Sequence, residues 1–261
     1  MISVISKILS QSTLMNSKLK FAYFGSSKFS EYVLDELRQA DYEPAFNVTN
    51  AKESLPELKT DIDLGIVASF GKIIPKGYLD TPRYGFINVH PSLLPELRGP
   101  APIQNLILQN REPGVSIIRM DEKMDHGPLL AQERVAVEPW PDHYAVVEEK
   151  LGRAGGRLLV RVLNGEAAER DQDHDSATFV KMIKKEDGLL NLNDDAEVNL
   201  RKVFAYSTWP GAYIMFKRKH GDELRVVIKN AKIVNGQFVP TLVVPAGKKE
   251  MDWESFLRGN A

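Results

Sequence analysis

The sequence has no cysteine and no long apolar run, and its charges almost cancel. Without cysteine, disulfides and thiolate metal sites are excluded. No apolar stretch approaches the roughly 18–20 residues that a membrane-spanning helix requires. The formal net charge is −1, so a polyanionic ligand has to be bound by a local basic patch rather than by overall charge.

Length and composition are typical of a globular protein with ample material for a core. The chain has 261 residues, of which 43% are hydrophobic and 26% charged, which is enough for one medium domain and a smaller one. Met15 resembles a second start, and no secretory cleavage pattern follows the first residues. We therefore predict a disordered leader over residues 1–17, a larger domain over 18–185 and a small domain over 186–261.

The larger domain begins with a pattern of strand, turn and helix. Residues 20–24 are apolar and predict a buried strand, and residues 27–40 show helical spacing of apolar side chains. This order predicts a doubly wound, mostly parallel sheet of Rossmann-like type. The turn at Gly25 has one glycine where a dinucleotide fingerprint has three, which argues against a nicotinamide cofactor. Three glycines within residues 152–156 of a later helix predict close helix–sheet packing rather than a phosphate cradle.

The small domain shows the pattern of short antiparallel strands. Alternating runs cover residues 212–217, 224–232 and 238–244, and the turns His220-Gly221 and Asn235-Gly236 separate them. The fold class is therefore predicted to be α/β, with a Rossmann-like sheet followed by a small β domain.

One stretch of the larger domain combines a strand end with polar side chains. Asn88 and His90 lie two positions apart on an extended segment and therefore point to the same side. A loop rich in proline and glycine follows, up to Gln104. Asp125 follows the next predicted strand, over 114–120, and we expect it at the same sheet edge, where the carboxyl ends of neighbouring strands present functional groups.

These three side chains suit acyl transfer to an amine. A carboxylate beside an imidazole favours the protonated ring, which with the Asn88 amide provides donors to a developing oxyanion. Asp125 is placed to accept a proton from the attacking nucleophile, and the neighbouring His126 is an alternative base. No serine or cysteine occupies a nucleophile turn, so a covalent acyl-enzyme is not indicated. The alternative without function is a strand end with an incidental Asn–His pair.

The same residues resemble the formyltetrahydrofolate-dependent formyltransferases. The resemblance extends over about residues 19–259 and is most specific in the core motifs. These are Asn88-Val-His90-Pro-Ser-Leu-Leu-Pro95, Arg98-Gly99, Ala101-Pro-Ile-Gln104, Met120-Asp-Glu-Lys-Met-Asp125-His-Gly127, Phe70-Gly71, Ile73-Ile74-Pro75 and Trp209-Pro-Gly211.

The resemblance implies a catalytic trio of Asn88, His90 and Asp125, an OB-like C-terminal domain and no metal. It also implies 10-formyltetrahydrofolate as co-substrate and formyl transfer from its N10 to a primary amine. The implied folate-binding residues lie in three loops: Phe70, Gly71, Ile73, Ile74, Ser92, Leu93, Leu94, Pro95, Asp121, Lys123 and Met124. The chain is most similar to members that act on initiator Met-tRNA, and this implies a cytoplasmic monomer without membrane association.

The chain departs from that group in a way that leaves the acceptor open. The family's longer basic insertion after the second strand, which holds the tRNA, is replaced here by the compact segment 50–63, and the C-terminal domain is shortened. Basic clusters that remain for a tRNA are Lys217, Arg218, Lys219 and His220, Lys248 and Lys249, and Lys181, Lys184 and Lys185. A nucleotide-linked amino sugar is the alternative acceptor, and a non-catalytic folate- or tRNA-binding module is the alternative to an enzyme.

Overall fold

The computed structural model describes residues 19–58, 61–219 and 221–260. The predicted leader, together with Lys59 and His220, lies outside these residues. The described chain forms two compact units, of which the first comprises residues 19–102, 112–136 and 148–181 and the second 103–111, 137–147 and 182–260. The domain boundary at residue 186 remains a prediction. No helix of the described part is long and apolar enough to cross a membrane.

The first unit is built on a six-stranded sheet. Its strands are β1 (Phe21–Phe24), β2 (Phe46–Val48), β3 (Leu64–Ala68), β4 (Phe86–His90), β5 (Gly114–Arg119) and β6 (Leu129–Arg134). Their spatial order is β2-β1-β3-β4-β5-β6. The first four are parallel, whereas β4 with β5 and β5 with β6 are antiparallel. Every residue of β1 and β3 is buried, as expected for apolar strands covered on both faces.

Up to residue 163, the helices of the described chain are α1 (Lys28–Gln39), α2 (Lys76–Leu79), α3 (Pro102–Leu108), which lies mainly in the second unit, and α4 (Tyr144–Leu163). Helix α1 begins after Ser27, whose hydroxyl accepts the Ser30 N–H. The glycines of α4 make close packing possible: a Cβ at Gly155 would lie 2.7 Å from Val89 of β4. Those at Gly152 and Gly156 would lie 2.8 and 2.6 Å from side chains of α1. Close packing is thus confirmed, and it involves a neighbouring helix as well as the sheet.

Gly65 is required by the aromatic core beside it. A Cβ at Gly65 would lie 2.2 Å from the Phe86 ring, and that ring is held by Phe24 at 5.5 Å and Tyr78 at 5.9 Å. Gly65→Ala is therefore expected to lower the free energy of unfolding by about 1–3 kcal/mol, measured by denaturant unfolding. Gly77→Ala is the control, because no atom lies within 4 Å of its Cβ position. Equal stability of the two variants would contradict the packing argument.

The direction of β5 corrects one step of the sequence reasoning. Because β5 runs antiparallel to β4, Arg119 at its carboxyl end lies opposite Ile87, near the start of β4. The expectation that β4 and β5 end at the same sheet edge is wrong. Asp125 instead approaches β4 through the loop that follows β5.

The second unit contains the small β-sheet and confirms the predicted C-terminal β domain. Its strands β7 (Tyr213–Lys217), β8 (Glu223–Val234), β9 (Gln237–Pro245) and β10 (Met251–Asp252) form an antiparallel sheet in the order β10-β9-β8-β7. Helix α5 (Ala196–Ala205) starts at Asp195, whose carboxylate accepts two N–H groups of the first turn. Helix α6 (Trp253–Asn260) supplies Phe256, which packs on Phe216 of β7 at 4.9 Å.

Candidate active site

The three side chains predicted to be catalytic lie in contact. The Asn88 amide donates to Asp125 Oδ1 at 3.3 Å, and His90 Nδ1 lies 3.5 Å from the same oxygen. Asn88 and His90 thus face the same side of β4, as their spacing predicts. Asp125 Oδ2 accepts the N–H of Gly99 at 2.8 Å. The carboxylate is therefore oriented by one backbone donor and shared between the amide and the imidazole.

The His90 ring is enclosed between two oxygen acceptors. Only 3% of the residue is exposed, and Nε2 lies 3.2 Å from the carbonyl oxygen of Leu97. Nε2 is within hydrogen-bond distance of Leu97 and Nδ1 is within ion-pair distance of Asp125, so a neutral ring would leave one nitrogen lone pair facing an oxygen. Leu97 has a φ of 59°, in the left-handed region that costs an L-residue about 1–2 kcal/mol. This strained backbone aims the carbonyl at the ring.

Asp125 lies in a loop whose backbone is also unusual. Its φ is 51°, a conformation that aspartate tolerates better than most residues. Two residues later, a Cβ at Gly127 would lie 1.9 Å from the Arg119 carbonyl oxygen, so this position requires glycine. Gln172 Nε2 donates to the carbonyl oxygens of Asp125 at 2.9 Å and Gly127 at 2.7 Å. The loop is therefore held by a side chain from a segment 47 positions further along the chain.

Arg98 anchors the other end of the Gln172 side chain. It is 2% exposed, and its Nη2 donates to Gln172 Oε1 at 2.6 Å and contacts His174 Nδ1 at 2.9 Å. Burial lowers the pKa of the Arg98 guanidinium, and the negative charges of Asp125 and Asp121 only partly offset this effect. Arg98 is therefore a buried cation that organises the residues beside the site.

His126, the alternative base, is directed away from the catalytic contacts. Its Nδ1 lies 2.7 Å from Asp121 Oδ2, and its ring stacks on His174 with the centroids 4.0 Å apart and the planes at 3°. No described contact joins it to Asn88 or His90. Among the described residues, no three histidine, aspartate or glutamate side chains are grouped as a metal site.

The loop after β4 mainly stabilises its own conformation. Ser92 is fully buried, and its hydroxyl donates to the carbonyl oxygen of Glu96 at 2.7 Å. Leu94 is buried in a cluster with Ile118 and Leu129, while Leu93 and Pro95 are half-buried. Of the four residues predicted to contact folate here, Leu93 and Pro95 thus have the most accessible side chains.

The other predicted folate-binding residues border an apolar region. Phe70 and Ile74 are buried in a cluster that includes Leu79 and Phe86, with Met120 packed against it. Ile73 and Met124 are exposed, as are Gly71 and Lys123. A cleft of about 700 Å³ is lined by apolar Leu79, Phe86 and Met120 and by the charged side chains Lys76, Asp80, Arg83, Arg119, Asp121 and Glu122. Its volume is in the range of small-molecule sites. Leu79 and Phe86 join it to the cluster that contains Phe70 and Ile74, whereas Asn88, His90 and Asp125 do not line it.

Comparison with known proteins identifies the family. Residues 28–163, more than half of the chain, match the family model described as formyl transferase. The chain belongs to the formyltransferase family. Residues 182–241 match the model described as formyl transferase, C-terminal domain. The three residues predicted to be catalytic and the cleft lie within the part of the chain that the first model covers, whereas Gln172 and His174 lie outside it.

Curated relatives and solved structures agree with this family. The chain is 37% identical over 227 residues to the methionyl-tRNA formyltransferase of Bacillus licheniformis, covering 77% of this chain and 72% of the relative. It is 40% identical over 197 residues to that of Chloroflexus aurantiacus, covering 74% of this chain and 62% of the relative. The chain thus spans roughly two thirds of their length.

Two solved formyltransferases share the fold. The methionyl-tRNA formyltransferase of Clostridium thermocellum superposes with a TM-score of 0.68 at 15% identity, over 90% of this chain and 100% of that chain. A sugar N-formyltransferase from a Shewanella species superposes with a TM-score of 0.60 at 20% identity, over 83% of this chain and 99% of that chain. At these identities the likeness concerns the fold alone.

Three groups that contribute to the site were not predicted from the sequence. They are the Leu97 carbonyl group, the Gly99 N–H and the Gln172 side chain. The Arg98-Gly99 dipeptide is a signal for the first two, because glycine after a proline-rich loop marks an unusual backbone. Gly99 has a φ of 123°. No local pattern distinguishes Gln172, because its role depends on long-range contacts.

Proposed function

We propose that this formyltransferase moves a formyl group from 10-formyltetrahydrofolate to the methionine amino group of initiator Met-tRNA. The observation that carries the proposal is the contact of Asn88, His90 and Asp125 around one carboxylate oxygen. Membership of the formyltransferase family and the similarity to methionyl-tRNA formyltransferases support the choice of reaction and acceptor. The whole reaction is a proposal, because the chain spans only part of the length of those relatives.

Asn88 provides one donor to the oxyanion that develops when the amine attacks. One N–H of its amide is used by Asp125 at 3.3 Å, and the second makes no hydrogen bond within the described part of the chain. An amide carries two such donors, so the second is available to the reacting carbonyl oxygen. Because Asp125 fixes the amide plane, the donor is oriented before the substrate binds, which is the condition for efficient electrostatic stabilisation.

His90 provides positive charge, and Asp125 accepts a proton. In its doubly protonated form His90 donates to Leu97, pairs with the Asp125 carboxylate and brings positive charge to the developing oxyanion. Asp125 accepts the proton that the attacking amine loses and passes it to the departing folate nitrogen. The folate supplies the formyl group, and its nitrogen is the leaving group. The protein orients the three side chains for direct attack by the amine, and no covalent enzyme intermediate forms.

The residues present fit a flat heteroaromatic ring. Such a ligand needs apolar surface with a few placed hydrogen bonds, and the cleft combines apolar Phe86 and Met120 with charged groups that include Asp121. We assign the pterin to this region, between the Phe70–Ile74 loop and residues 121–125. Leu93 and Pro95 line the approach to His90 in this proposal.

The acceptor is supported by the relatives and by exposed cations of the second unit. Lys217, Lys219, Lys248 and Lys249 are exposed, whereas Arg218 pairs with Asp222. Such clusters are needed for phosphate contacts because the net charge of −1 provides no general attraction. A monomeric state and a cytoplasmic location are part of the same proposal.

A competition assay tests the acceptor. Purified protein and 10-formyltetrahydrofolate are incubated with initiator Met-tRNA and a nucleotide-linked amino sugar, and formyl incorporation into each is measured. We expect transfer to Met-tRNA at a rate at least ~10²-fold above that to the sugar, because the two acceptors share only the amine. The control is uncharged tRNA, which has no methionine amino group. Turnover of the sugar nucleotide without transfer to Met-tRNA would replace the proposed acceptor.

A further inference from the structure

Every hydrogen-bonding group of the Gln172 side chain has a partner, either in the Asp125 loop or in Arg98. Its two N–H groups go to the carbonyl oxygens of Asp125 and Gly127, and its Oε1 accepts from Nε and Nη2 of Arg98 at 3.2 and 2.6 Å. The residue is 5% exposed. A buried amide with four satisfied bonds has one orientation, because any rotation leaves a polar group unpaired.

The Gln172 amide stabilises the part of the loop around Asp125, where the backbone geometry is unusual. Asp125 has left-handed backbone geometry, and unusual backbone persists only where surrounding contacts determine it. The Gln172 bonds lie on both sides of His126, so they define the turn from which the Asp125 side chain extends. The carboxylate then meets Gly99 N–H at 2.8 Å and the Asn88 amide at 3.3 Å.

A neighbouring segment fixes the position of Arg98 independently. The Arg98 N–H donates to the Thr178 carbonyl oxygen at 2.9 Å, and the Val180 N–H donates to the Arg98 carbonyl oxygen at 2.8 Å. The Leu97 N–H donates to Thr178 Oγ1 at 2.8 Å. We call residues 172–180 the strap. It contacts the His90 side of the site through Leu97 and the Asp125 side through Gln172.

We propose that Gln172 is a positioning residue of the formyl transfer, which sets the Asp125 carboxylate against Asn88, His90 and Gly99. The inference rests on the proposed function for its kinetic test. It does not depend on which amine is the acceptor. It also makes a structural claim, that the Gly99 N–H loses its partner when Gln172 loses its donors.

Gln172→Glu is the informative substitution. Glutamate keeps the length of the side chain and the acceptor for Arg98, but its carboxylate has no N–H for the two loop carbonyls. We expect a kcat about 10-fold to 10²-fold lower, with KM values for folate and amine within about threefold of wild type. Gln172→Leu removes both sets of bonds without adding a charge and is expected to lower kcat in the same range.

A double-mutant cycle separates positioning from general destabilisation. If Gln172 acts through the Asp125 carboxylate, Gln172→Glu lowers kcat in the wild-type chain but has almost no further effect in Asp125→Asn. Equal losses in both backgrounds would overturn the proposal. Asn199→Asp is the matched control, because this buried amide also donates to a backbone carbonyl, that of Asn191 at 2.9 Å. It is expected to lower Tm while leaving kcat unchanged.

Amide hydrogen exchange tests the structural claim without any substrate. In Gln172→Glu the Gly99 N–H is expected to exchange at least 10-fold faster, while the Val180 N–H, which bonds Arg98, keeps its wild-type rate. Equal acceleration at both amides would show general loosening and would overturn the proposal, as would no change at Gly99. A wild-type protein that formylates neither acceptor refutes the proposed function but leaves this readout decisive for Gln172.

Discussion

Asp125→Asn is expected to lower kcat by ~10²-fold or more, which is about 2.7 kcal/mol of transition-state stabilisation. The amide keeps an oxygen for the Gly99 N–H, but it cannot accept the proton of the attacking amine or support a charged His90. Asparagine also tolerates the left-handed backbone of this position, so the loop is expected to remain folded. Single-turnover formyl transfer measures the effect on the chemical step.

Asp41→Asn is the control for this substitution. Asp41 is exposed at the end of α1 and has a φ of 62°, so the same chemical change occurs in the same backbone region outside the site. Its rate and Tm are expected to equal those of the wild type. Asp125→Asn activity within threefold of wild type would remove Asp125 from the mechanism.

His90→Ala is expected to reduce the rate by ~10²-fold or more as well. The substitution removes the positive charge beside the developing oxyanion and leaves the Leu97 carbonyl and the Asp125 carboxylate without their shared partner. Because His90 is buried, the cavity and the unpaired groups also lower stability. Rates are therefore measured below the transition temperature of the variant, with circular dichroism as a check of folding.

Two further variants separate chemistry from folding at this position. His90→Gln keeps N–H donors on one nitrogen and more of the volume, so it is expected to be more stable than His90→Ala but still slow. His143→Ala removes an imidazole of the second unit that packs on Phe204 at 4.6 Å, and it is expected to lower Tm without changing the rate. A near wild-type rate in both His90 variants would show that the imidazole takes no part in the reaction.

Much of the site could be predicted because its main members lie on one strand. The two-residue spacing of Asn88 and His90 places them on the same side of β4 wherever that strand runs. The motifs around them also identified the family that the comparisons show. The catalytic roles, the folate-binding assignments and the domain boundary remain predictions, because no ligand contact or matching boundary tests them.

Other features could not be predicted because they depend on contacts distant in the chain. The antiparallel direction of β5 follows from strand pairing that a short apolar run does not encode. The short helix α2 and the elements β10 and α6 were missed because each has too few residues for a clear periodicity. Gln172 and Arg98 form a buried pair 74 positions apart, which no local pattern indicates.

The chemical groups on β4, the mostly parallel sheet with its small β domain and the family could all be predicted from the amino-acid sequence. These depend on residue type and on periodicity, which are local properties. The route by which Asp125 reaches His90 depends on the folded chain. Asp125 approaches through a loop with left-handed backbone geometry, Gly127 packed against Arg119 and the buried Gln172 amide. Long-range hydrogen bonds stabilise that loop, and they form only when the strap and the sheet are both in place.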